Sequence, residues 1–216
     1  MWVALPAMLI ASNVMVQANT IGGAGSDCAT CAGAVYTLTY SGAPISSAAT
    51  TQTFQITLSV NDRTYTGGGS LLNAVAIKVA PFSGLVSASL VSAPSGFSLL
   101  SGGLSSQGCG SGSGGFLCAE SSANGVLVTG SAYNFVYNVT VDTGTLLTGT
   151  NAASIKARYL DSNGRFAGPL LSEAITLQNT SPVPEPNSTL LLGIGLLGLG
   201  LLFRRLRKAK SPAASV

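Results

Sequence analysis

Histidine is absent from the 216 residues, 8% of the chain is charged, 6% is aromatic, and there is a single Trp. Each shortage excludes a class of chemistry. Without histidine, Ser-His-Asp and Cys-His nucleophilic catalysis cannot be assembled, and the commonest general base near neutral pH and the commonest imidazole metal ligand are both missing. Charge is not only scarce but concentrated, because Arg204, Arg205, Arg207, Lys208 and Lys210 make up half of the ten basic residues. Residues 19–183 hold five basic and six acidic side chains, a balance of −1, so the body has no electrostatic footprint for nucleic acid. No metal or cofactor motif stands out, and the body is expected to be noncatalytic.

Long apolar runs occur only at the two ends. Residues 1–18 (MWVALPAMLIASNVMVQA) are apolar apart from Ser12, Asn13 and Gln17, and close on Val16-Gln17-Ala18, the small-residue spacing that an export peptidase requires. This stretch reads as a signal peptide. A basic leading region is missing from it, which suggests a true start upstream of Met1. At the other end, residues 188–203 (STLLLGIGLLGLGLLF) are 16 residues without a charge. As a helix they span about 24 Å, short of the roughly 30 Å hydrocarbon core but tolerable through snorkelling and local thinning. The basic tail 204–216 should stay in the cytoplasm, with Arg204, Arg205, Arg207 and Lys208 as the topology anchor. One transmembrane helix with an exported body follows. Gly193, Gly195 and Gly198 within it satisfy a dinucleotide-binding spacing, but the strand, helix and downstream acid of a true fingerprint are missing.

Between body and apolar run lies a linker, residues 179–187, containing Pro184-Glu185-Pro186. The prolines fix φ and push their preceding residues toward an extended backbone, and Glu185 offers a lone carboxylate. Pro-Glu-Pro, a short Leu- and Gly-rich apolar segment and an arginine cluster, in that order over residues 182–208, resemble the PEP-CTERM sorting signal. The resemblance implies processing by an exosortase, a membrane-embedded cysteine transpeptidase of outer-membrane bacteria that make exopolysaccharide. It also implies transient anchoring in the inner membrane, followed by delivery to the cell surface or extracellular matrix. Ala209–Val216 extend past the usual end of such a signal.

The body, residues 19–178, breaks into short β-rich runs separated by Gly, Ser, Asn and Pro. Strands are expected at residues 35–40, 53–60, 73–79, 85–92, 97–100, 126–129, 133–141, 154–160 and 174–177. Phe54, Ile56, Leu58 and Val60 alternate with Gln55, Thr57 and Ser59, the two-residue period of a half-buried strand. Tyr133, Phe135, Tyr137, Val139 and Val141 repeat the pattern. The spacing points to an all-β fold, a single antiparallel β-sandwich of Ig-like or jelly-roll-like type. With so few charges, its exposed faces must be filled by Ser, Thr, Asn, Gln and Gly.

Four cysteines fall in two pairs, Cys28-x-x-Cys31 and Cys109…Cys118, the second around the glycine-rich stretch Gly110–Gly115, which reads as a loop. In an exported chain disulfides are the default. Four cysteines allow three connectivities. Local closure favours Cys28 with Cys31 and Cys109 with Cys118, and cross-pairing stays open. Asp161-Ser162-Asn163-Gly164-Arg165 lacks the ligand count of a calcium loop and is better explained as a hairpin turn on Asn163-Gly164. The expected function is that of an exported surface or matrix protein. The alternative is a carbohydrate-binding module for exopolysaccharide, which exposed Tyr36, Tyr65, Tyr133 or Tyr159 would favour. A hydrolase would need two of Asp27, Asp62, Glu120, Asp142, Asp161 and Glu173 close together in a cleft.

Overall fold

The computed structural model describes residues 17–178 apart from 24, 42, 80–83, 129 and 144–149. The expected leader up to residue 16, the sorting motif, the apolar run 188–203 and the basic tail lie outside the described residues.

Strands form where β-branched and aromatic residues alternate with small polar ones. In chain order they are β1 (Gln17–Gly22), β2 (Val35–Tyr40), β3 (Ser46–Ser47), β4 (Thr51–Asn61), β5 (Leu71–Val79), β6 (Leu85–Ser92), β7 (Phe97–Ser105), β8 (Gly108–Ser121), β9 (Val126–Leu127), β10 (Ala132–Asp142), β11 (Thr150–Leu160) and β12 (Leu171–Gln178). The one helical element among the described residues is a 3-10 turn, Ala29–Cys31, closed by a Cys28–Cys31 disulfide. β4 ends where Asn61 Oδ1 accepts the Arg63 amide and the Asp62 carbonyl accepts the Tyr65 amide, turning the chain out of the sheet.

The strands make two antiparallel sheets. The first has the order β1-β2-β4-β10-β6, with β3 on β4; the second has the order β12-β11-β5-β8-β7, with β9 on β5. The long pairing of β4 with β10 runs from Asn61↔Ala132 to Thr51↔Asp142 without a register break. The inner faces share one core: Leu38, Ile56, Leu58, Phe135 and Tyr137 of the first sheet meet Leu72, Ile77, Ile155, Tyr159 and Leu171 of the second. Phe97 and Phe135 touch edge to face across it, centroids 5.1 Å apart. Burying each such side chain contributes about 1.5–3 kcal/mol. The fold is thus all-β with two packed antiparallel sheets, and the chain divides after Ser181, three residues beyond β12.

Two regions depart from the sequence-based expectation. Gln17 and Ala18, counted in the expected signal peptide, pair with Tyr40 and Thr39 as the first residues of β1. Gly110–Gly115, expected as a loop, belongs to β8, and β7 continues to Ser105 instead of stopping at Leu100. The pairing explains both. Ser101 faces Leu117 but Gly103 faces Gly112, and Leu104 faces Cys109, so β8 bulges twice against β7. Gly102, at φ 101°, makes the bend possible: a Cβ there would lie 2.9 Å from Gly110 Cα. The tip of this hairpin therefore folds back over the outside of the second sheet as an arm. Cys109 and Cys118, nine residues apart on one strand, are bonded with their Cα atoms 5.8 Å apart, where a straight strand would hold them roughly 30 Å apart.

Candidate functional site

The outward positions of the first sheet form a mostly polar face, with Val86 and Val91 exposed on its edge strand β6. Its polar members are Thr37 and Thr39 along β2, Thr53, Gln55, Thr57 and Ser59 along β4, and Asn134, Asn138 and Thr140 along β10, each next to a buried apolar residue, while Val35 of β2 and Val136 of β10 share the outward side. The register lines them up across strands: Thr39 faces Thr57, Gln55 faces Asn138, and Thr53 faces Thr140. On β6, Ser89 faces Asn138 and Ser87 faces Thr140. Side chains bond along these rows, Thr20 to Thr37 at 3.0 Å, Thr53 to Thr140 at 2.9 Å, and Gln55 Nε2 to Asn138 Oδ1 at 3.4 Å. Asp142, exposed at the last position of β10, is the one charged residue in the strands of this sheet.

The outer face of the second sheet is covered. The folded-back arm buries Leu104 against Ala74, Ala76 and Cys118, small residues that leave room for a second layer. Lys156 Nζ donates to the Leu104 carbonyl at 3.3 Å and Arg158 Nε to the Ser106 carbonyl at 3.1 Å. Arg158 Nη1 also reaches Asn73 Oδ1 and pairs with Glu120 Oε1 at 3.1 Å. Glu120 Oε2 accepts the Cys109 amide at 2.9 Å. Phe116 lies beneath two cations, Lys156 at 4.8 Å and Lys78 at 5.6 Å from its centroid.

Between the sheets sits one buried carboxyl. Asp62 is 2% exposed and accepts the Tyr159 hydroxyl at 2.8 Å on Oδ1, while Oδ2 has no partner. Because Tyr159 donates to Asp62, Tyr36 must donate to Tyr159, 2.7 Å away, which ties β2 to β11. Tyr65 stacks on Tyr159 with centroids 4.2 Å apart. Burial pushes the Asp62 carboxyl up to about 6, partly offset by the Tyr159 hydroxyl. The same burial holds the Tyr36 and Tyr159 hydroxyls well above the usual phenol range.

The remaining acids are mostly tied into structure. Asp161 Oδ1 accepts the Asn163 and Arg165 amides in the Asn163-Gly164 turn expected from the sequence, with Gly164 at φ 76°, and those amides hold its carboxyl below the usual range. Glu173 accepts the Thr30 hydroxyl and, with Asp27, Ser26 and Cys28, lines a hollow of about 320 Å³ beside β1. Among the described residues no three His, Cys, Asp or Glu side chains cluster as metal ligands. Tyr36 and Tyr159 are buried, and Tyr133 spends its hydroxyl on the Leu127 carbonyl, so no open row of tyrosines forms. Both disulfides follow the local pairing favoured by spacing. The exposed faces of Ser, Thr, Asn, Gln and Gly expected from the sequence are found here, and the alternation in β4 and β10 was visible; the adjacency that joins them into one face was not.

No curated protein and no solved structure matches the chain. One family model does, and it falls on the tail, where Pro184, Glu185, Pro186 and the cluster Arg204, Arg205, Arg207 and Lys208 lie. It implies export and sorting to the cell surface or extracellular space, with exosortase as the processing partner. Over residues 182–208, the chain carries a PEP-CTERM protein-sorting motif.

Proposed function

We propose that this is a noncatalytic surface or extracellular-matrix protein, exported as a precursor, anchored transiently in the inner membrane by residues 188–203 and released or transferred by an exosortase. The observation that carries the reading is the sorting motif placed directly behind a disulfide-bonded all-β body. Supporting a noncatalytic body, four of its six acids, Asp62, Glu120, Asp161 and Glu173, are engaged in structural hydrogen bonds, and no histidine is present. Glu185 is the one carboxylate of the motif and stands between two prolines, a sequence that favours an extended backbone. Replacing it, Glu185→Ala, should block processing while leaving export intact, so that the precursor accumulates in the membrane fraction. Unchanged release of the body from the membrane would contradict the assignment.

A further inference from the structure

We propose that the outer face of the first sheet is a docking surface for an uncharged, polyhydroxylated polymer, a neutral polysaccharide chain. The inference deepens the surface-protein reading and rests on it only for where the polymer is met.

The chemistry of the face narrows its partner. A polyanion needs cations and a polycation needs carboxylates, and the strands of this sheet hold neither beyond Asp142 at one end. A protein partner needs an apolar interface centre, whereas the large apolar side chains on this side, Val35 of β2, Val136 of β10 and the exposed Val86 and Val91 of the edge strand β6, stand among hydroxyl and amide groups. What the face offers is hydroxyls and amides, groups that both donate and accept. In each of the Thr20–Thr37 and Thr53–Thr140 pairs one proton lies between the two oxygens, leaving the other proton and spare lone pairs to point outward. Gln55 donates to Asn138, which frees the Gln55 carbonyl and the Asn138 amide hydrogens. A ligand built of hydroxyls matches such a two-way surface without desolvating any charge.

The geometry favours an extended chain. Rows repeat about 4.8 Å apart across strands and about 6.8 Å apart along them, and the β-branched threonines are stiff at χ1, so little side-chain freedom is lost on contact. Among the described residues no outward position of this sheet is aromatic, so no ring of the face stacks on a sugar. Each contact is therefore weak, and affinity accumulates with polymer length.

The test uses the full-length chain, purified unprocessed, in native gels containing dextran, hydroxyethyl cellulose or galactomannan, with alginate as the carboxylated control. Retardation by at least one neutral polymer is expected, stronger for long than for short chains, unchanged by added salt and absent with alginate. The double variant Thr57→Lys/Asn138→Lys, at the centre of the face, should bind at least tenfold more weakly. Ser172→Lys, exposed on β12 of the other sheet, should bind as the parent does, with melting curves confirming that both variants are folded. Retardation by none of the neutral polymers, equal retardation of the double variant, or preference for alginate would overturn the proposal. So would polymer-independent self-association that the double variant abolishes. None of these outcomes touches the sorting reading, which the Glu185→Ala processing assay tests alone.

Discussion

In the strands of the first sheet the one charged residue is Asp142, at the end of β10, whereas those of the second carry Lys78, Glu120, Lys156, Arg158 and Glu173. The inner faces of the two sheets do not differ in this way, since both are apolar and share one core. The contrast lies outside. Where the β7–β8 arm must be held against a sheet, Lys156 and Arg158 donate to carbonyls of the arm and Glu120 accepts one of its amides. Charge-assisted bonds are stronger than neutral ones, and here they hold backbone that lies over a sheet instead of within one. Over the first sheet, where no described residue forms a second layer, the outward positions are mostly Thr, Ser, Asn and Gln. Among the described residues charge marks the face that is covered, and its scarcity marks the face that is not.

The two sheets should behave alike in their shared core, where the largest effect is expected. Leu58→Ala in the first and Ile155→Ala in the second should each cost about 2–5 kcal/mol, read as a drop in unfolding free energy in urea. A loss confined to one of them would mean that the core is not shared.

Next comes the buried link between the sheets. Asp62 has its folded value raised to about 6 from 3.8, so its protonated form is the one the fold prefers. Its contribution is fully present below about pH 3.8, falls as pH rises, and is lost above about pH 6, a change of about 3 kcal/mol. Melting temperature should therefore decline between pH 4 and 7, and Tyr159→Phe, which removes the one hydrogen bond to the carboxylate, should steepen the decline. A flat profile would remove Asp62 from the account.

The smallest effect should be confined to the second sheet. Cys118→Ser opens the arm and should cost about 2–3 kcal/mol by loop-closure entropy. Amide exchange should accelerate at Leu104 and Cys109 while β4 and β10 keep their protection. Equal acceleration in both sheets would show that the arm is not a separate layer.

Much of this was legible beforehand. β2 and β6 fall where the alternation places them, and β4, β5 and β10 within two residues. Their strong apolar periodicity leaves little choice of face. β1 was hidden because QANTIG has one large apolar residue, Ile21, and follows directly on the largely apolar sequence of residues 1–16. The first half of β8 was hidden because glycines carry no periodic signal, and its conformation is imposed from outside, by Leu104 packing on Ala74 and Ala76 and by the Cys109–Cys118 bond. The hydroxyl face was half visible: Gln55, Thr57 and Ser59 could be assigned to one side of a strand. That β10 lies between β4 and β6 depends on long-range pairing across the intervening strands of the other sheet, which local pattern does not encode.

The central claim is that the tail sorts a body that folds outside the cytoplasm, and intact-mass measurement of the mature protein from fractionated cells tests it most directly. The account predicts a species outside the cytoplasm that has lost everything after about Pro186, lighter by a further 4 Da or so for two disulfides. A full-length polypeptide in the cytosol, with its tail uncut and its four cysteines reduced, would contradict it.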